Sequence, residues 1–152
     1  MTEDLQTTVQ AEIETFLRCV NTAGVVDLDE STHLGLRFNI KVPDARFLIG
    51  ERGANLASLE HLVKKVVQKK HPEAPHFLLD VNDYKLKRTD VLRDEVKAIA
   101  KKVRMYRKEI ALKPMTSFER RVIHMTLALY PDITTESLGE GPDRRVIIKP
   151  YP

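Results

Sequence analysis

Residues 47–56 read Phe-Leu-Ile-Gly-Glu-Arg-Gly-Ala-Asn-Leu, two glycines three apart in front of an apolar helical pattern. Glycine carries no Cβ, so Gly50 and Gly53 let backbone amides approach a ligand that a side chain would hold off. The helix that follows presents the positive end of its dipole, and Arg52 adds a full charge. Such a turn suits a phosphate backbone, which makes the carboxylate of Glu51 unexpected there. It is not a Walker loop, because no Gly-Lys-Ser/Thr follows. Nor is it a dinucleotide fingerprint, which follows a strand rather than a helix. Taken alone, Gly-x-x-Gly is a common helix–helix junction, so its meaning depends on its neighbours.

Upstream, Leu34, Leu36, Phe38, Ile40 and Val42 alternate with Gly35, Arg37, Asn39 and Lys41, the period of a half-buried strand that Pro43 stops. VVDLDES, residues 25–31, supplies a strand before it. Leu5, Val9, Ile13, Phe16 and Val20 recur at three- and four-residue steps and predict a first helix, with Thr2 as its cap. Asp44 to Ile49 predicts a short helix into the glycine turn. Leu56, Leu59, Leu62 or Val63, Val66 and Val67 predict a longer one out of it, ending near His71-Pro72. HFLLDV, residues 76–81, then reads as a strand. The order helix, strand, strand, helix, turn, helix, strand predicts a small α+β sandwich with its helices on one face of the sheet.

A second unit begins near Tyr84. Leu92, Val96, Ile99, Val103, Tyr106 and Ile110 step by 4, 3, 4, 3 and 4, which predicts one long helix to about Glu109 with an apolar seam. Arg93, Lys97, Lys101, Arg104 and Lys108 form a basic stripe beside that seam. Ser117 is the expected cap of a further helix carrying Phe118, Val122, Met125 or Ile123, and Leu129, stopped by Pro131. ITTESL and RRVIIKP around GEGPD predict a closing hairpin. The chain therefore divides into residues 1–82 and 83–152, tied by the long helix.

Charge is distributed unevenly. Residues 1–40 hold 2 Lys/Arg against 7 Asp/Glu, residues 41–70 hold 7 against 3, and residues 84–113 hold 11 against 4. Two basic blocks, the first around the glycine turn, point to a polyanion-facing surface. With 42% hydrophobic residues in 152, the chain can bury a core. The one cysteine, Cys19, excludes an intramolecular disulfide and reads as a small buried or half-buried helix residue. The N-terminus lacks a signal-peptide pattern and no apolar run is long enough to span a bilayer, so a soluble cytoplasmic protein without membrane insertion is expected.

The strand, short helix, Gly-x-x-Gly, helix and strand of residues 1–82 resemble a K-homology domain of the type II arrangement, with helices packed on a small three-stranded sheet. That resemblance implies a loop clamping the backbone of single-stranded RNA through Ile49, Gly50, Glu51, Arg52, Gly53 and Asn55, beside an apolar groove lined by Ile49 and Leu56. Residues 84–150 resemble a small α/β R-three-H domain, whose name denotes the Arg-x-x-x-His of Arg120 and His124. The preceding KPMTSFE and the following GEGPDRRVIIKP carry the same likeness. By it, Arg120, Arg121, His124, Arg144 and Arg145 form a second nucleic-acid surface. The pair of domains is that of Jag-type (SpoIIIJ-associated) bacterial proteins. The resemblance implies post-transcriptional or cell-envelope and cell-division regulation, with a second small K-homology protein or self-association as partner. Members commonly carry a further N-terminal domain and linker; this sequence starts almost at the first K-homology helix and is expected to be a short form.

No nucleophile–base pair and no metal-ligand spacing is legible among the five histidines and the carboxylates, so no enzyme, no cofactor and no metal are expected. Two other readings remain open on the sequence. The seam of residues 92–110 could serve as a coiled-coil interaction module. Single-stranded DNA could also replace RNA, because neither motif by itself reads a 2′-hydroxyl.

Overall fold

The structure, a computed structural model, describes residues 2–30 and 34–152. Ser31, His33 and the side chain of the expected cap Thr2 lie outside the described residues. The chain is mixed α+β and separates into two compact units, Met1–Leu86 and Lys87–Pro152.

The first unit runs α1 (Thr2–Cys19), β1 (Val25–Asp29), β2 (Arg37–Lys41), α2 (Arg46–Ile49), a 3-10 turn (Glu51–Gly53), α3 (Ala54–Lys70) and β3 (Leu78–Val81). Its sheet has the order β1-β2-β3, with β1 antiparallel and β3 parallel to the central β2. A parallel neighbour needs a crossover, which α2 and α3 provide. Val9, Ile13 and Leu17 of α1 join Leu56, Leu59, Val63 and Val67 of α3, and Phe38, Ile40, Leu79 and Val81 of the sheet, in one core. The first helix thus buries Leu17 rather than Val20, because it stops at Cys19, and the cysteine expected to be buried or half-buried is exposed. Leu62 and Val66 are likewise on the solvent side of α3.

The other side of β2 is not the half-solvated face that the alternation predicts. Arg37 and Asn39 are 4% and 3% exposed. The Arg37 guanidinium reaches Asp29 on β1 at 3.1 Å, Asp80 on β3 at 3.0 Å and Asp83 at 3.0 Å. Burial works against this charge, but hydrogen bonds to Asp83 and Asp29 and the field of Asp80 raise its pKa above the ordinary value. Asp80, fully buried, also accepts from the amides of Val81 and Lys85 at 2.8 Å and of Leu86 at 3.1 Å. It therefore caps the helix that begins at Tyr84. The sharp β3–α4 corner passes through Asn82 and Asp83 at φ 48° and 57°. Asn39 accepts the Asp83 amide, and Asn82 exchanges both amide hydrogen bonds with the backbone of Val42. On the outer edge of β3, Glu60 accepts the Leu79 amide and pairs with Lys85, so that this amide of the edge strand is satisfied by a side chain.

The second unit is built from α4 (Tyr84–Tyr106), whose first residues belong to the unit before, then β4 (Ile110–Ala111), α5 (Ser117–Leu127), β5 (Ile133–Leu138), a 3-10 turn (Gly141–Asp143) and β6 (Arg145–Pro150). Its sheet has the order β4-β6-β5, all antiparallel. The long helix ends three residues earlier than its periodicity suggests. Arg107 turns left-handed at φ 55°, and Ile110 leaves the seam to pair with Ile148. Val96, Ala100 and Val103 are buried with Leu112, Ile123, Leu127, Ile133, Val146 and Ile148, so the seam packs on its own unit. Tyr106 is exposed. The cap of α5 is Thr116 rather than Ser117. Its hydroxyl accepts the Glu119 amide while the Glu119 carboxylate accepts the Thr116 amide, a reciprocal capping box. That register buries Val122, Ile123 and Leu127 and leaves Met125 and Leu129 in solvent.

Arg37→Met removes the cation and leaves the buried Asp80 side chain without its partner. Breaking a buried pair from one side costs roughly 3–5 kcal/mol. Urea denaturation of the full chain followed by far-ultraviolet circular dichroism should show a loss of that order for Arg37→Met, and an unchanged midpoint for the exposed Arg46→Met.

Candidate nucleic-acid interface

The glycine turn sits where the sequence places it, between α2 and α3, and the backbone explains both glycines. Gly50 has φ 71° and ψ −176°, a region open essentially to glycine alone. A Cβ there would also lie 2.5 Å from Cγ of Asn55. Gly53 has φ 80°, and a Cβ would lie 2.9 Å from Cε1 of Tyr84, the first residue of α4. Arg52 between them is left-handed at φ 55°. Asn55 donates from Nδ2 to the carbonyl of Phe47 at 2.8 Å and so ties the first turn of α3 back across the loop to α2. The amides of Gly53 and Ala54 are used inside the turn, by the carbonyls of Gly50 and Glu51. Those of Glu51 and Arg52 bond to no other described residue. The side chains of Glu51 and Arg52 are exposed, so neither is needed to hold the turn.

Ile49 is half-buried against the core beside this turn, whereas Leu56 is fully buried. Leu56 supports the loop from inside and presents no surface. Arg46, one turn ahead of Gly50, is held by Asp44 through contacts of 2.7–3.2 Å. The side-chain and backbone hydrogen bonds from Arg46 pull the Asp44 carboxyl down to about 2.

In the second unit, Arg120 and His124 lie one turn apart on α5, as their spacing requires. Both are half-buried. His124 Nδ1 is 2.6 Å from the Thr135 hydroxyl and Nε2 is 2.9 Å from the Ser137 hydroxyl. Thr135 and Ser137 are two apart and so share the α5-facing side of β5. Both ring nitrogens therefore serve the helix–strand contact. Burial, and secondarily the charge of Arg120, lower the His124 pKa. Arg120 donates to the Ser117 hydroxyl at 3.2 Å, and its Nε is buried without an acceptor among the described residues. Arg121 is exposed, about 100° further round the helix.

The two arginines of the last strand part company. The carbonyl of Arg144 accepts the Met115 amide just before the α5 cap, and its guanidinium donates to the Gly139 carbonyl. Arg145 opens β6 opposite Leu138, and alternation puts it on the face away from Val146 and Ile148. The backbone thus associates Arg144 with the Arg120 end of α5 and directs Arg145 elsewhere. Of the basic stripe on α4, Arg104 is committed to Asp132 and lies 5.3 Å over the Tyr130 ring, while Lys97 and Lys101 are exposed. The sequence reading missed the Thr135 and Ser137 partners. Their trace is the pair of hydroxyls at period two in ITTESL, which signals nothing until α5 is packed over them.

A base whose pKa is lower folded than unfolded binds fewer protons in the fold. The stability His124 contributes is whole above its ordinary value of 6.5 and is lost as pH falls through the folded value. Thermal denaturation of the wild type should therefore show stability falling as pH drops below about 6.5. His124→Gln, which does not titrate, should remove that dependence.

No helix is long and apolar enough to cross a membrane among the described residues. Residues 90–150 match the R-three-H domain family. Over 147 residues, 96% of this chain and 66% of the relative, the chain is 35% identical to a protein of Clostridium symbiosum named RNA-binding protein KhpB. It is 36% identical to the Bacillus subtilis protein of the same name over 115 residues, 74% of this chain and 55% of that one. A Lactiplantibacillus plantarum protein with this name is 34% identical over 149 residues, covering 94% of this chain and 45% of the relative. The chain thus spans between about half and two thirds of the length of these relatives. Residues 90–150 of this chain therefore carry an R-three-H domain.

Proposed function

We propose that the chain is a non-enzymatic single-stranded RNA-binding protein with one nucleic-acid surface on each unit. On this reading residues 1–82 are a type II K-homology domain and residues 83–152 belong to the R-three-H domain. The order α1-β1-β2-α2-turn-α3-β3, with β3 parallel to β2, supports the first assignment. The names of the relatives support RNA as the ligand. The observation that carries the reading is the Gly50–Gly53 turn. Two positive-φ glycines, two amides that bond to no other described residue and the N-terminus of a 17-residue helix converge there.

Gly50 and Gly53 allow the close approach, the amides of Glu51 and Arg52 bind phosphate oxygens, and the Arg52 side chain adds charge. Glu51, pointing to solvent, stands beside the path of the strand. On the second unit Arg120, Arg121 and Arg144 are the phosphate contacts. Arg145 extends that path along the other face of the sheet. His124 acts by holding α5 to β5 so that Arg120 keeps its place. The same resemblance makes post-transcriptional or cell-envelope and division control the setting, in the cytoplasm, with a second small K-homology protein or a second copy as partner.

The double variant Glu51→Asp, Arg52→Asp keeps both glycines and hence the turn. Fluorescence anisotropy with a labelled 12-mer RNA should show binding weakened at least tenfold, with an unchanged circular dichroism spectrum. For the wild type, the logarithm of the association constant should fall with the logarithm of salt by about 0.7 per phosphate contact. An unaffected double variant, or a slope near zero, overturns the assignment of this loop. The same titration with the deoxy 12-mer decides whether the sugar matters.

A further inference from the structure

Beside the glycine turn stands an aromatic side chain that the fold does not use. Phe47 is 83% exposed, whereas Phe38 and Phe77 are buried against each other edge-on and Phe16 packs on the same core. No residue of α2 is buried. Yet the backbone of Phe47 is held firmly. Its carbonyl accepts from Asn55 Nδ2 at 2.8 Å, and the flanking amides of Ile49 and Gly50 bond back to Ala45 and Arg46 at 2.9 Å. The ring is thus carried on a fixed stem three residues before Gly50, joined by one hydrogen bond to the helix that starts just past Gly53. An exposed ring on an ordered backbone is already in place to meet a ligand, with little further ordering to do.

We infer that Phe47 is a stacking platform for a nucleobase of the strand whose phosphates lie on the Gly50–Gly53 turn. The inference rests on the loop reading above and adds to it a contact to a base. Every base presents a π-face, so one exposed ring next to a phosphate grip takes any single-stranded sequence. Charge complementarity favours a nucleic acid over a protein as the occupant. The ring belongs to the segment 41–70, with 7 Lys/Arg against 3 Asp/Glu, and its neighbours Arg46 and Arg52 are exposed. The exposed apolar residues of α3, Leu62 and Val66, begin two turns beyond Asn55, about 10 Å along the helix. A protein interface would need a contiguous apolar patch of hundreds of square ångströms, and a base needs one ring.

The chain contains no tryptophan, so Phe47→Trp introduces a single indole. Its fluorescence should be quenched on titration with an oligouridylate 12-mer, with the midpoint given by anisotropy. Phe47→Ala should weaken binding of that oligonucleotide about tenfold and leave unchanged both the melting temperature and the affinity for an abasic 12-mer of the same phosphate count. Phe47→Tyr should bind as the wild type does. Wild-type affinity in Phe47→Ala, or an equal loss on the abasic strand, overturns the stacking role. So does a change of mass in light scattering with RNA affinity unchanged, which would give the ring to a protein contact. The Glu51→Asp, Arg52→Asp variant separates the two readings. If it loses RNA while Phe47→Ala does not, only the stacking inference falls. If the wild type fails to bind any 12-mer, both fall.

Discussion

A single cation on the central strand of the first sheet organises that unit. Arg37 joins Asp29 on one neighbouring strand to Asp80 on the other, and Asp80 in turn accepts the amides of Lys85 and Leu86. The alignment of three strands and the starting point of α4 are therefore one electrostatic problem. An isolated charge in such a place would cost several kcal/mol, a cost that Asp29, Asp80 and Asp83 offset together. The consequence extends to the loop. Fixing the first turn of α4 fixes Tyr84, and the Tyr84 ring occupies the space that a side chain at position 53 would need. The second glycine of the turn is thus demanded twice, by its own backbone angles and by a helix whose start is set across the sheet.

The second unit uses polar groups in a comparable way with different chemistry. A neutral imidazole links two hydroxyls of β5 to α5, and the helix is started by a capping box rather than by a buried carboxylate. In both units the residues that a motif search singles out are held in place by hydrogen bonds that the sequence does not display. Asn55 ties the glycine turn to α2, and Thr135 and Ser137 hold the histidine. Among the described residues, the amides of Glu51 and Arg52 have no such partner, and the buried atoms without one are Nε of Arg37, Oγ1 of Thr89 and Nε of Arg120.

Much of the architecture was legible from periodicity. The alternation in residues 34–42 located β2, and the helix between Ala54 and Lys70 and the closing hairpin appeared close to their observed bounds. Errors arose where a local pattern had two continuations. Ile110 fits the heptad-like step of α4 as well as it fits a strand, and pairing with Ile148 decides for the strand. Val20 continues the stripe of α1, but the helix stops at Cys19 and Leu17 takes the core position. Thr116 and Ser117 are equally good caps by composition, and only the reciprocal bonds with Glu119 distinguish them.

The sequence by itself determined the class of structure, the place of the glycine turn between two helices, the Arg-x-x-x-His pairing on one helix face and the basic segments around them. These depend on neighbours three or four residues apart, or on alternation, and chain connectivity enforces them. The tertiary structure alone decided that Arg37 and Asn39 are interior, that both nitrogens of His124 are spent on a strand 11 to 13 residues away, and that Arg144 and Arg145, adjacent in sequence, face different ways. Each of those outcomes is set by a partner brought in from a distant segment, because burial and hydrogen-bond satisfaction are properties of the packed chain and leave no periodic trace in it.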